Sequence, residues 1–372
     1  MDKIIGIGNA LVDILVRLEQ DGPISRLHLM KGGMQLIDED MQREVTAVMA
    51  PYPMEKAAGG SAGNVALALA GLGDAPGFVG AVGDDALGRF LQGNCLQMGI
   101  VPHLMVKEGH TGVANTLITP DGERTFATCL GAAARMEASD VDASMLSGYG
   151  LVHVEGYLVQ NPPLIEHLLQ TAKTAGLSVS LDLASYNVVA AQRTLFRRLV
   201  EEYVDIVFAN EQESQAFSGG MAPEETLDEL ASMCRVAVVK QGCRGSIACR
   251  AGERARQQGR CVKVVDTTAA GDFYAGGFLH AYVHGAPLLQ CMHSLHHREP
   301  DHGPRRRAEI RHQQKYRPQG HFRAAASVQP GAVSAGQGSS GYQQGPAAYP
   351  GRHRHPQKIP RCLMPCMSDM AI

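Results

Sequence analysis

From Val265 to Asp272 the chain reads Val-Asp-Thr-Thr-Ala-Ala-Gly-Asp, a run of small residues closed by a carboxylate. The β-branched stretch before it, Cys261 to Val265, reads as a strand. The stretch after it, Phe273-Tyr274-Ala275-Gly276-Gly277-Phe278, reads as a helix. A loop of small residues at a helix start leaves several backbone N–H groups unpaired and pointing outward. With the positive end of the helix dipole they bind an anion, most often phosphate. A carboxylate placed there is repelled by bound phosphate, so it needs a reason to be there. The reason that fits is taking a proton from a nucleophile about to attack phosphorus. The segment predicts phosphoryl transfer to a hydroxyl, with Asp272 as base.

Other polar residues stand where such a reaction needs them. Asp13 lies just past the carboxyl end of a first apolar strand, the edge at which open α/β sheets bind ligands. Its carboxylate can accept two hydrogen bonds from a vicinal diol, or it can serve as a turn or cap residue. Gly59 and Gly60 allow a backbone to approach a ligand closely, and Asn64 can bond a sugar hydroxyl or cap its helix. Asn210-Glu211-Gln212-Glu213 has the logic of a capping box. It also sets Glu213 where one carboxylate, acting through water, could serve a Mg²⁺ ion on nucleotide phosphates. Lys240-Gln241-Gly242-Cys243-Arg244-Gly245 is a glycine-punctuated turn that either closes a hairpin or sets Gly242 and Gly245 against a nucleotide. The chain has no G-x-x-x-x-G-K-[ST] motif, so an ATP site here is not a P-loop. Gly6-Ile7-Gly8 begins like a dinucleotide fingerprint, but Leu11 stands where the third glycine belongs.

The elements that carry these residues alternate over positions 1–290. Ile4–Gly8, Gly77–Val82, Leu151–Glu155, Ser178–Asp182, Val204–Ala209 and Val236–Lys240 read as strands. Asn64–Leu72, Asp85–Met98 and about 163–175 read as helices. This is the rhythm of a parallel sheet covered on both faces. Two segments break it, 14–37 and 112–130. The second holds Thr119-Pro120-Asp121-Gly122-Glu123 between β-branched runs, a hairpin signal. Together they predict a small antiparallel sheet outside the core, placed to serve as a lid that excludes water.

Of the 372 residues 45 % are hydrophobic, enough for a large core, and the net charge of −3 gives no case for nucleic acid. The average hides an asymmetry. Residues 291–372 carry twelve Lys and Arg against four Asp and Glu, whereas the first 290 carry 22 against 33. From Cys291 the periodicity stops, and 293–356 is rich in His, Arg, Gln, Gly, Pro and Ala, a composition that cannot bury a core. The change is abrupt and reads as a shift of reading frame, which leaves Arg305 to Arg307 no meaning as a nucleic-acid patch. The start lacks the parts of a secretion signal, and no apolar run is long enough to span a membrane. Nine cysteines without C-x-x-C spacing argue against a disulfide framework. A cytoplasmic protein without membrane partners is expected.

In this order, Gly8-Asn-Ala-Leu-Val-Asp13, Gly59-Gly-Ser-Ala-Gly-Asn64, Asn210-Glu-Gln-Glu213, Lys240-Gln-Gly-Cys-Arg-Gly245 and Asp266-Thr-Thr-Ala-Ala-Gly-Asp272 resemble the ribokinase-like (pfkB) family of small-molecule kinases. The likeness covers residues 1–290. It implies a three-layer α/β fold with a central, mostly parallel sheet and a small β-sheet lid, with ATP as donor and Mg²⁺. It also implies an anion hole at the amides of Ala269, Ala270 and Gly271, with Asp13, Gly59, Gly60 and Asn64 on sugar hydroxyls. Arg124 matches a lid arginine that meets phosphate. Asn210, Lys240, Gly242 and Gly245 fall on the nucleotide side, with Glu213 reaching the metal through water. Gly59 to Asn64 and Leu130-Gly-Ala-Ala-Ala134 look closer to adenosine kinases than to ribokinases, so the expected acceptor is the primary hydroxyl of a ribose nucleoside such as adenosine. A homodimer formed through the lid is the assembly to look for. A sugar kinase for ribose, fructose or a keto-sugar acid is the first alternative. The second is a catalytically impaired binder. In relatives the region after about 290 walls the adenine site, and here it is replaced; Ala269 also stands where the signature has Gly.

Overall fold

The structure is a computed structural model, and it describes residues 2–259 and 269–293. The strand expected over 261–265 and the segment from 294 onward lie outside the described residues. The first strands are β1 Ile4–Ile7, β2 Leu11–Arg17, β3 Met34–Leu36, β4 Met54–Gly59, β5 Gly77–Val82, β6 Val101–Val106 and β7 Gly112–Ile118. They are followed by β8 Arg124–Cys129, β9 Leu151–Glu155, β10 Ser178–Asp182, β11 Ile206–Asn210, β12 Val236–Lys240, β13 Ser246–Arg250 and β14 Glu253–Gln257.

Nine strands form the main sheet in the order β14-β13-β12-β11-β10-β9-β1-β5-β6. From β12 to β6 every pairing is parallel, while β13 and β14 add an antiparallel hairpin at one edge. Both faces are covered, which is why the central strands read as unbroken apolar runs. In β11, Val207 and Ala209 enter a core with Phe196, Phe217 and Leu230, from helices Arg193–Tyr203, Glu211–Ser218 and Pro223–Met233. Ile206 and Phe208 face the other way, against Val65, Leu69, Phe278 and Leu279 of helices Ser61–Leu72 and Ala270–Val283. These last two helices cross so closely that a Cβ on Gly276 would stand 2.6 Å from Ala68 Cβ and 3.1 Å from the Val65 carbonyl oxygen. Only glycine lets them touch.

The small sheet runs β3-β8-β7-β2-β4. The predicted hairpin is its β7–β8 pair. Contrary to the all-antiparallel expectation, β2 pairs with β7 and β3 with β8 in parallel. Sequence reading also missed β4, β6 and the helix Glu39–Met49. β4 is an edge strand with mostly exposed residues, so it lacks alternation. Val16, Leu117 and Ala127 on one face pack with Val45 and Met49 of that helix. Residues of opposite parity, Leu11, Asp13, Phe126 and Thr128, face a cavity between the two sheets.

Two boundaries differ in ways that bear on the site. The helix expected from Asn64 begins at Ser61, with Gly60 before it at φ +87°. The helix starting at 288 runs to His293, past the composition break, with Leu288, Cys291 and Met292 buried. Among the described residues no helix is long and apolar enough to cross a membrane.

Candidate active site

Parallel strands end together at one edge of the sheet, and here four neighbouring strands end on polar residues. β9 ends in Glu155, β10 in Asp182, β11 in Asn210 and β12 in Lys240, with Asp182 in register with Glu155 and Lys240 with Asn210. Asn9 follows β1. All five line one cavity of about 850 Å³, together with Asp13, Gly60, Asn64, Glu213, Gly242, Gly245, Ala269, Ala270, Gly271 and Asp272. Of the residues singled out from sequence, Gly59 and Arg124 are not among the lining. Gly59 lies under Asp13, whose carboxylate leaves no room for a Cβ there. Arg124 opens β8 on the same face as Phe126 and Thr128, farther from the sheet edge.

Asp272 sits in the first turn of the helix Ala270–Val283. Its Oδ1 accepts a hydrogen bond from Ser61 Oγ at 2.7 Å and its Oδ2 one from Asn64 Nδ2 at 2.9 Å. Asn64 is therefore not the cap of its helix, which is Gly60; its side-chain amide donates to Asp272. Burial pushes the Asp272 carboxyl up to about 6, against the pull of those two hydrogen bonds. A group of that kind is ionised at neutral pH and still basic enough to receive a proton.

Lys240 Nζ lies 2.7 Å from Asp182 Oδ2 in a buried ion pair. Burial works against its ammonium, but the carboxylates of Asp182 and Glu213 outweigh burial and raise its pKa. A Cβ on Gly271 would stand 3.1 Å from Lys240 Nζ, so the ammonium rests against the first turn of the helix Ala270–Val283. The capping box at Asn210 is complete. Glu213 accepts from Asn210 N at 2.7 Å and from its Nδ2 at 2.6 Å, and Asn210 Oδ1 accepts from Glu213 N. Both carboxylate oxygens thus accept a hydrogen bond from Asn210. Burial and the neighbouring Asp182 push Glu213 up to about 7. The Gly242–Gly245 turn closes the β12–β13 hairpin, and both glycines also line the cavity.

Sequence reading missed Ser61, Asn9, Glu155 and Asp182. Glu155 accepts from Asn9 N, Asn9 Nδ2 and Ala62 N, and burial raises it to about 7. A Cβ on Gly8 would collide with that carboxylate. Polar residues closing otherwise apolar strands, Leu151-Val-His-Val-Glu155 and Ser178-Val-Ser-Leu-Asp182, were the available signal. Asp13 was expected after β1 as a ligand or turn residue; it lies inside β2, opposite Ala57 and Ala114, which removes the turn reading.

Two alanines at the site hold left-handed backbone, Ala184 at φ +70° and Ala269 at φ +60°. Ala184 follows Asp182 and donates its N–H to Asp182 Oδ1 at 3.0 Å. Ala269 precedes the helix Ala270–Val283, in the conformation where a Cβ is penalised by roughly 1 kcal/mol. Ala269→Gly is expected to raise stability by about 1 kcal/mol, or roughly 2 °C in thermal midpoint. An unchanged or lower midpoint in calorimetry counts against the strain. The carboxyls give a second expectation. Glu155, Glu213 and Asp272 all have folded pKa values above their ordinary 4.5 or 3.8. Their contribution is fully present below about pH 4 and is lost as pH rises through about 7. In metal-free buffer, raising pH from 6 to 8 should lower stability by roughly 2–3 kcal/mol. A midpoint that stays flat or rises over that interval contradicts the protonated carboxyls.

Comparison with known proteins agrees with this geometry. Residues 34–294 match the model of the pfkB family carbohydrate kinases. Among solved structures, an adenosine kinase from Sinorhizobium meliloti is 32 % identical with a TM-score of 0.71, the match covering 78 % of this chain and 90 % of that one. A probable sugar kinase from Rhizobium etli CFN 42 is 31 % identical with a TM-score of 0.72 and the same coverage. The 5-dehydro-2-deoxygluconokinase of Photobacterium profundum is 27 % identical over 297 residues, covering 73 % of this chain and 87 % of that protein. A match over most of the folded chain, with a polar strand-end cavity facing a helix start, makes this protein a kinase of the pfkB family.

Proposed function

We propose that the chain phosphorylates the primary hydroxyl of a ribose-containing nucleoside, with adenosine as the substrate to test first. ATP with Mg²⁺ would supply the phosphoryl group and neutralise its charge. The residues present suit that group. Carboxyls of Asp182, Glu213 and Asp272 act on the ammonium of Lys240, an excess of negative charge that a divalent cation relieves. Ala269, Ala270 and Gly271 line the same cavity at a helix start, where backbone amides suit phosphate oxygens. Gly242, Gly245 and Met292 line the end away from the lid and would hold the nucleotide. Asp13, Gly60 and Asn64 line the acceptor side. Asp272 would take the hydroxyl proton as that oxygen bonds to phosphorus, with Ser61 and Asn64 fixing its position. Most of the acceleration would come from positioning and electrostatics.

The observation that carries the nucleoside reading is the wall beyond the acceptor residues. Leu36, Phe126, Leu130, Ala133, Met136, Leu158 and Leu164 line it. A free sugar is polar on every side, and each hydroxyl left unpaired against such a wall costs about 1–3 kcal/mol. A purine offers apolar faces, and Phe126 offers a ring to stack on. The sugar-kinase alternative draws on the relatives, which include 5-dehydro-2-deoxygluconokinases and a fructokinase.

With Mg-ATP, adenosine should be turned over with kcat/KM at least about 100-fold above ribose, fructose or 5-dehydro-2-deoxygluconate. Its kcat should fall about tenfold per unit as pH drops below about 6, where Asp272 becomes protonated. Higher efficiency on a sugar overturns the nucleoside reading. Turnover of no acceptor, with adenosine still raising the melting temperature, favours the impaired binder.

A further inference from the structure

The far end of the catalytic helix carries a second cluster of chemistry-bearing side chains. His280 and His284 lie one turn apart at the end of Ala270–Val283, and Asp74 lies just past the end of Ser61–Leu72. His280 Nδ1 is 2.8 Å from Asp74 Oδ2, and His284 Nε2 is 3.2 Å from Asp74 Oδ1. The imidazole rings stand 4.7 Å apart. One ligand atom from each of the three residues falls within 4.8 Å of the others. Eight to twelve residues separate the histidines from Asp272, which is about 12–18 Å along the helix. The cluster is therefore no part of the phosphoryl-transfer site.

We propose that Asp74, His280 and His284 form a binding site for one first-row divalent metal ion of the zinc type. Two imidazoles and a carboxylate are the donor set that such ions favour, with one or more positions left for water. Mg²⁺ and Ca²⁺ prefer all-oxygen surroundings and are poor occupants. Zinc–ligand bonds of about 2.1 Å require the three donors to close in slightly on the ion. His284 can supply that movement, being 48 % exposed at the helix end.

The backbone around the site is already fixed. Asp74 N donates to the Leu69 carbonyl and Gly73 N to that of Ala70, at a left-handed Gly73. His284 N donates to the His280 carbonyl, and Gly285 at φ +77° turns the chain away. The side chains come from two helices that meet at Gly276 and, at their other ends, through Ser61, Asn64 and Asp272. A metal ion here would staple that helix pair and stabilise the fold by linkage.

Zinc titration calorimetry on the full-length, chelator-stripped protein tests the site. Histidines and cysteines beyond residue 293 offer further donors for zinc, so the readout is a difference between variants. The wild-type protein should bind one equivalent more than Asp74→Asn or the mild surface variant His284→Ala, or hold that equivalent at least about tenfold more tightly. Zinc should raise the wild-type melting temperature more than that of His284→Ala, and millimolar Mg²⁺ should not displace it. Equal stoichiometry and affinity in all three proteins overturns the proposal and leaves the cluster as a hydrogen-bonded helix clasp.

Discussion

Buried carboxyl groups gathered around one ammonium set the terms for the rest of this molecule. Lys240 pairs with Asp182 and feels Glu213 and Asp272, and Glu155 joins the same cavity beside Asp272. Each comes from a different element: the ends of β9, β10 and β12, the first turn after β11 and the first turn of Ala270–Val283. No two adjacent elements could assemble it alone. Only a parallel sheet in this strand order brings those carboxyl ends together. Desolvation penalises every one of these charges, and one ammonium cannot balance them. The protein meets the penalty by hydrogen bonding. Glu155 takes three donors from Asn9 and Ala62, Glu213 two from Asn210, and Asp272 two from Ser61 and Asn64.

The same bonds fix the backbone on which the chemistry rests. Glu155 ties the end of β1 to the start of the helix Ser61–Leu72, and that helix in turn holds Asp272 through its first turn. The close crossing at Gly276 holds the two helices in direct backbone contact. Positioning of the carboxylate is thus built from backbone outward, and the left-handed alanines at 184 and 269 are the strain that remains at the site.

Much of this was legible in the sequence, because parallel strands buried on both faces leave unbroken β-branched runs. β5, β9, β10 and β12 were placed at their observed residues for that reason. The phosphate-loop logic brought out Asp272, since small residues before a helix have few other uses. What escaped was information that lives between elements. Glu155 and Asp182 look like ordinary strand ends until the sheet sets them side by side. Ser61 and Asn64 act on a residue more than 200 positions away. β4 and the parallel pairing of β2 with β7 depend on tertiary context that an exposed edge strand does not record. The cap alternative for Asn64 falls because the helix starts three residues earlier, at Ser61.

The central claim is that Asp272, held at the helix start, takes the proton of the acceptor hydroxyl. The most direct measurement is the single-turnover rate of phosphoryl transfer by Asp272→Asn, with the fold checked by calorimetry and circular dichroism. Asn keeps the shape and an acceptor oxygen but is no base. The account predicts a rate lower by about 10³-fold or more, with a melting temperature at or above that of the native chain, since a buried charge has been removed. A folded variant whose transfer rate stays within about threefold of native would contradict it.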